Sequence, residues 1–171
     1  MVPKKGAWLK ALILFSLMIC VGCSPAYFQP TEPGTDYRWL IENWQHRIEK
    51  EGWNEALVDD VTRSCIQLSK YEPDPIDDDH WETYQEFTRD FKGDCEDITS
   101  FMYGTLKRLN YPNNLRFRIL RMPLGDHAVL MVELPDQRWK MFNSVPLPGA
   151  SIDIALSRTV VEWDDKYIYY P

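Results

Sequence analysis

The chain has 171 residues and a formal charge of −7, with seven Trp, nine Tyr and seven Phe. That is enough apolar material for one domain with its own core, and the acidic balance argues against nucleic acid or anionic lipid surfaces as ligands. Four cysteines do not make a disulfide framework here, because two of them fall in the first 23 residues, in a segment of different character.

That segment, "MVPKKGAWLKALILFSLMICVGC", carries Lys4, Lys5 and Lys10 ahead of an apolar run from Ala11 to Val21. The layout is that of a secretory signal peptide more than of a membrane span, the run being short and one-sided. Its end, Cys20-Val21-Gly22-Cys23-Ser24, resembles the lipobox of bacterial lipoproteins, in which small residues precede a cysteine that is lipidated and becomes the mature N-terminus. Cys20 stands where leucine is usual. The competing reading of Cys20 and Cys23 as a redox C-x-x-C pair needs a folded active-site helix, which a cleaved leader does not supply. The resemblance implies a signal peptide over residues 1–22 and lipidation at Cys23. With Ser24 next, it implies anchoring at the outer membrane, facing the periplasm. A plain signal peptide cut nearby, or an uncleaved anchor, is the alternative. Without the leader the chain has sixteen basic and 26 acidic side chains, a formal charge of −10. Residues 23–36 read as a Pro-rich extended tether, and 37–171 as the folded domain.

Trp39, Leu40, Trp44 and Ile48 give an amphipathic helix from Tyr37 to about Lys50, and a second runs from Asn54 to about Ser69. Cys65 sits at helical spacing with Leu57, Val58, Val61 and Leu68, as a small core residue. A Pro- and Asp-rich connection, "YEPDPIDDDHWETYQEF", leads to a short helix around Thr83 to Asp90. Within it "DPIDDD" (74–79) reads as a solvated loop, with a second cation site as the alternative. In "FKGDCEDITSFMYGTLKRL", Asp94 suits an N-cap and Ile98, Phe101, Met102, Leu106 and Leu109 form a buried stripe, so Cys95 lies in a first helical turn. The stretches 115–122, 127–134 and 138–145 read as strands, the last two joined by a tight turn at Pro135-Asp136-Gln137, and "KYIYY" as a final strand. Helices followed by an antiparallel sheet make an α+β architecture.

A thiol among Asp94, Glu96 and Asp97 poses a problem, since each carboxylate opposes formation of the thiolate. Pairing about the 135–137 turn brings His127 and Asn143 opposite each other at one end of the sheet. A helix N-terminus packed there would deliver Cys95 to the imidazole. Cys95 would then be nucleophile, His127 general base and Asn143 the amide that fixes the tautomer. Asp126 is no substitute for Asn143, because strand neighbours point to opposite faces. His46 and His80 have no partner pattern and read as surface or packing residues.

"YEPDPIDDDHWETYQEF", "GDCEDI", "DHAVLMVEL" and "WKMFNSV" together resemble the bacterial transglutaminase-like cysteine peptidases over residues 71–146. The resemblance implies a papain-like fold with Cys95 as nucleophile and His127 as base. The family includes calcium-dependent periplasmic proteases that clip surface adhesins. Where the family usually has aspartate this chain has Asn143, which papain-like enzymes also use. The resemblance further implies Ca²⁺ on oxygens of Asp94, Glu96 or Asp97, where it would cancel repulsion on the thiolate; plain N-capping is the other reading of those acids. The expected function is a thiol hydrolase acting on a peptide or isopeptide bond of a protein or peptide substrate. The alternatives are acyl transfer from the same thioester and a catalytically silent binding module. The Cys95 N–H and the segment Trp81 to Gln85 are candidate sources of oxyanion donors.

Overall fold

The computed structural model describes residues 35–75, 80–123, 125–144, 159–164 and 168–169. The leader, Cys20, Cys23 and most of the tether lie outside the described residues, as does most of "DPIDDD" (76–79). Helix α1, Thr35–Glu51, begins two residues inside the expected tether. Its buried face is Tyr37, Ile41 and Trp44, with Leu40 and Ile48 packed beside them. Trp39 was expected on that face and is instead 60% exposed. At about 100° per residue it lies roughly 200° round the helix from Tyr37, on the side facing water.

Helix α2, Glu55–Leu68, starts at Asn54, whose side chain accepts from the Leu57 N–H. It buries Leu57, Val58, Val61 and Cys65 in a core shared with Tyr37, Ile41 and Trp44 of α1, and Asp60 accepts from the Trp44 indole N–H (3.2 Å). The next element, β1 (Lys70–Tyr71), pairs in parallel with β2 (Lys92–Gly93), Tyr71 against Gly93. Neither strand is announced by the sequence, because two residues carry no period. Between them α3 is a single turn, Tyr84–Phe87, with a capping box between Thr83 and Glu86. It is shorter than the expected Thr83–Asp90, and Phe91, with φ 58°, turns the chain into β2.

Helix α4, Cys95–Arg108, follows at once and has the expected apolar stripe: Ile98, Phe101, Met102, Leu106 and Leu109 are all buried. The sheet holds β3 (Leu115–Met122), β4 (Gly125–Glu133), β5 (Trp139–Asn143), β6 (Thr159–Trp163) and β7 (Ile168–Tyr169) in the order β5-β4-β3-β6-β7. Every pairing in it is antiparallel. Leu115, Leu130, Val132 and Phe142 turn inward to the helices and share one core with α1, α2 and α4. β6 is not among the elements expected from the pattern; it joins the sheet beside β3 through Trp163 opposite Phe117 and Glu162 opposite Arg118. Among the described residues no helix is long and apolar enough to cross a membrane.

Candidate active site

The nucleophile helix is set by its first turn. Asp94 caps it, accepting from the Glu96 N–H (3.3 Å), and Asp97 reaches back to the Asp94 N–H (3.1 Å), a reciprocal capping box. The other Asp97 oxygen accepts from the Glu82 N–H at 2.8 Å, which ties the α3 approach to the same point. Gly93 is required beside it, since a Cβ there would lie 2.5 Å from Asp97 Oδ2. Asp97 is 1% exposed and turned inward. It was expected as a cation ligand; the structure makes it a structural acceptor of two backbone N–H groups.

Cys95 is half-buried at the first position of α4. Its Sγ lies 3.5 Å from the Ala128 N–H, which donates to it, and its own S–H donates to Glu96 Oε2 at 3.1 Å. Ala128 lies one residue before Val129, which pairs with Asn143 of β5. The thiol is thus one residue along the strand from His127.

His127 is 8% exposed, and its Nε2 is 2.6 Å from Asn143 Oδ1. The two residues were expected to sit opposite each other, but the register pairs Asn143 with Val129 and His127 with Leu120 of β3. The contact is diagonal: His127 and Val129 share a face of β4, so a side chain two places along still reaches. An amide oxygen only accepts, so Nε2 carries the hydrogen and Nδ1 is the basic nitrogen. Asp126 faces away and ion-pairs with Arg121 at 2.6 Å.

Asp94 and Glu96 are pushed up to about 7. Burial is the main cause for both; for Asp94 the neighbouring Glu96 adds to it, and for Glu96 the Cys95 group does. Burial likewise raises Asp97. Carboxylate oxygens of Asp94 and Glu96 lie with Cys95 Sγ within 4.8 Å of one another. Two acids, not three, therefore converge on the thiol. Asp74 adds negative charge there, felt by both Asp94 and Asp97, while its own Oδ2 accepts from the His80 N–H at 2.6 Å. Tyr71 is the site residue that sequence reasoning passed over. Its phenol is raised by burial and then by the charges of Cys95, Asp94 and Glu96. The signal was indirect, because only the pairing of β1 with β2 carries it to the helix start.

Of the candidate oxyanion donors, the Cys95 N–H has no hydrogen-bond acceptor among the described residues, whereas the Glu96 N–H is held by Asp94. In the Trp81 to Gln85 segment the Glu82 N–H is taken by Asp97, and Trp81 stacks against Phe117 and Trp163. His46 and His80 are exposed, as expected.

A thiol on a helix N-terminus, set against an imidazole–amide pair on an antiparallel sheet, defines a papain-like α+β fold. Solved structures share it. Calcium-bound LapG of Legionella pneumophila is similar with a TM-score of 0.61 and 20% identity, over 82% of this chain and 81% of that one. The EGTA-treated form of LapG gives 0.61 and 23%, over 80% and 75%. A candidate cysteine protease from Cytophaga hutchinsonii gives 0.53 and 15%, over 85% of this chain and half of its own. No protein-family model and no curated protein sequence matches the chain.

Proposed function

We propose that this protein is a cysteine peptidase of the transglutaminase-like type, cleaving a peptide or isopeptide bond through a Cys95 thioester. The observation that carries the reading is the 2.6 Å His127 Nε2–Asn143 Oδ1 hydrogen bond, one residue from the backbone N–H that contacts Cys95 Sγ. It leaves Nδ1 free to take the thiol proton. The thiolate then adds to the substrate carbonyl carbon, and the oxyanion that forms is met by the Cys95 N–H and the partial positive charge of the α4 N-terminus. As the C–N bond breaks, His127 returns the proton to the leaving amine. Water, deprotonated by His127, adds to the thioester, and the thiolate leaves with the carboxylic acid product released. Asn143 serves because holding the ring in one tautomer requires an acceptor and not a charge.

The same reading includes calcium. Hard oxygen donors crowded at Asp94 and Glu96, each resisting ionisation, suit a hard divalent cation. The existence of calcium-bound LapG supports it. The ion would hold both carboxylates ionised and lift their repulsion from the Cys95 thiolate. In the remaining part of the proposal the chain is lipidated at Cys23 and faces the periplasm from the outer membrane, supported by the basic start, the apolar run and the Gly22-Cys23 junction. Loss of palmitate incorporation in Cys23→Ala checks the anchor.

The peptidase reading is tested by mapping iodoacetamide adducts by mass spectrometry, with calcium and with chelator, beside hydrolysis of a casein digest. Rapid, calcium-stimulated modification of Cys95, and peptide cleavage that Cys95→Ala abolishes, are the expected results. A slow, calcium-independent reaction without cleavage would leave a silent binding module.

A further inference from the structure

Beside the second and third turns of α4, at Ser100, Tyr103 and Gly104, and toward β3 and β6, lies a cavity of about 290 Å³. One wall is aromatic. Phe117 and Trp163 stack at 4.4 Å, and the Trp81 ring lies 5.6 Å from each, while Tyr103 contributes a fourth ring. Trp81 is held there and is still 44% exposed. An indole of that size left open to water on a stack is a binding surface in need of a partner.

The polar member of the lining is Glu82. Its Oε2 is shut off from solvent and has no hydrogen-bond partner among the described residues. The charged groups that act on it most are the acids Asp97, Asp90 and Glu86, with His80 alone opposing them. No lysine or arginine of the described residues lines the cavity. The combination selects one ligand class. A carboxylate without a partner calls for a cationic donor, the open ring faces attract a cation electrostatically, and the apolar walls suit an alkyl stem. An acidic side chain would meet repulsion, and a purely apolar one would leave Glu82 unsatisfied.

The cavity is also connected to the chemistry. The Glu82 N–H donates to Asp97, which caps the helix that Cys95 begins. We propose that this cavity is a specificity subsite for a lysine or arginine side chain of the substrate, with Glu82 as counter-ion and Trp81 as the stacking wall. The proposal rests on the peptidase reading of Cys95, because it makes the cavity part of the path along which the substrate lies.

The test uses the full-length protein in millimolar calcium and acetyl-tripeptidyl chloromethyl ketones, which alkylate a catalytic thiol. Lysine, norleucine or glutamate is placed in turn at each position, with alanine elsewhere. At one position lysine is expected to react about tenfold faster than norleucine, with glutamate slowest. In Glu82→Gln the lysine-to-norleucine ratio should fall to within about twofold. Ratios taken within each protein cancel any change in Cys95 reactivity. Equal rates for lysine and norleucine at every position, with iodoacetamide still taking Cys95 rapidly, overturn the subsite and leave the peptidase reading intact. A lysine preference that survives Glu82→Gln also overturns it. Slow iodoacetamide reaction overturns both readings together.

Discussion

Cys65 and Cys95 are both helix-borne thiols in one small domain, and their surroundings give them opposite characters. Cys65 lies mid-helix in α2 among Leu57, Val58 and Val61, fully buried, and burial pushes its thiol up to about 12. Cys95 opens α4, where the backbone N–H groups of the helix start point outward, and it meets Ala128, Glu96 and the edge of the sheet that bears His127. A thiol inside an apolar stripe is a small hydrophobe, whereas one at a helix start beside a base is a nucleophile in waiting. Position in the helix, more than residue type, separates them.

The largest expected effect is the difference in thiol reactivity itself. A shift of Cys65 from its ordinary 9 to about 12 lowers its thiolate fraction on the order of a thousandfold at neutral pH, before access is considered. In native protein iodoacetamide should therefore label Cys95 and spare Cys65, and these two thiols should react at similar rates in denaturant. Comparable native rates would erase the contrast.

Asn143 sharpens the comparison next. Asn143→Ala frees the His127 ring and should slow Cys95 alkylation near neutral pH on the order of a hundredfold, with Cys65 unchanged. Asn143→Asp should keep the rate or raise it, since a carboxylate also accepts from Nε2. Rate against pH, measured beside the melting temperature, separates this from a packing role, which would lower stability in both variants.

The third prediction concerns pH. Folding raises Asp94 and Glu96 from 3.8 and 4.5 to about 7, so between those values the folded protein binds more protons than the unfolded chain. Stability from these two groups is thus fully present below about pH 4 and is lost as pH rises through about 7. The exposed acids Glu55 and Asp136, lowered by Lys140 and Arg138, act in the opposite sense, so the effect is read as the difference between wild type and Asp94→Asn/Glu96→Gln. In chelator the wild type should lose more melting temperature than the double variant between pH 5 and 8. Calcium, by holding the carboxylates ionised, should remove that loss and add about 2.7 kcal/mol at a hundred times its Kd. A melting temperature indifferent to millimolar calcium would return Asp94 and Glu96 to plain capping.

The smallest effect is expected at Asp97. Asp97→Ala strips the Asp94 and Glu82 N–H groups of their acceptor and should cost roughly 2 kcal/mol in denaturant unfolding. Calcium should still raise the melting temperature of that variant if Asp94 and Glu96 are the ligands.

The sequence alone determined the helices α1, α2 and α4 and the strands β3, β4 and β5, and it singled out Cys95, His127 and Asn143, which the fold brings to one place. Periodicity records which face of an element is buried, and Gly-Asp-Cys-Glu-Asp ahead of an apolar stripe marks a capped helix start. Tertiary structure decided what depends on partners distant along the chain. Trp39 faced water because Tyr37 and Ile41 took the core side, and β6 found its place only beside β3. Likewise Asp97 parted from Asp94 and Glu96 because the Glu82 N–H arrived from another loop. The diagonal reach from His127 to Asn143 followed from the register that sets Asn143 opposite Val129, and strand register is fixed by pairing across the whole sheet, not by the local residues that report it.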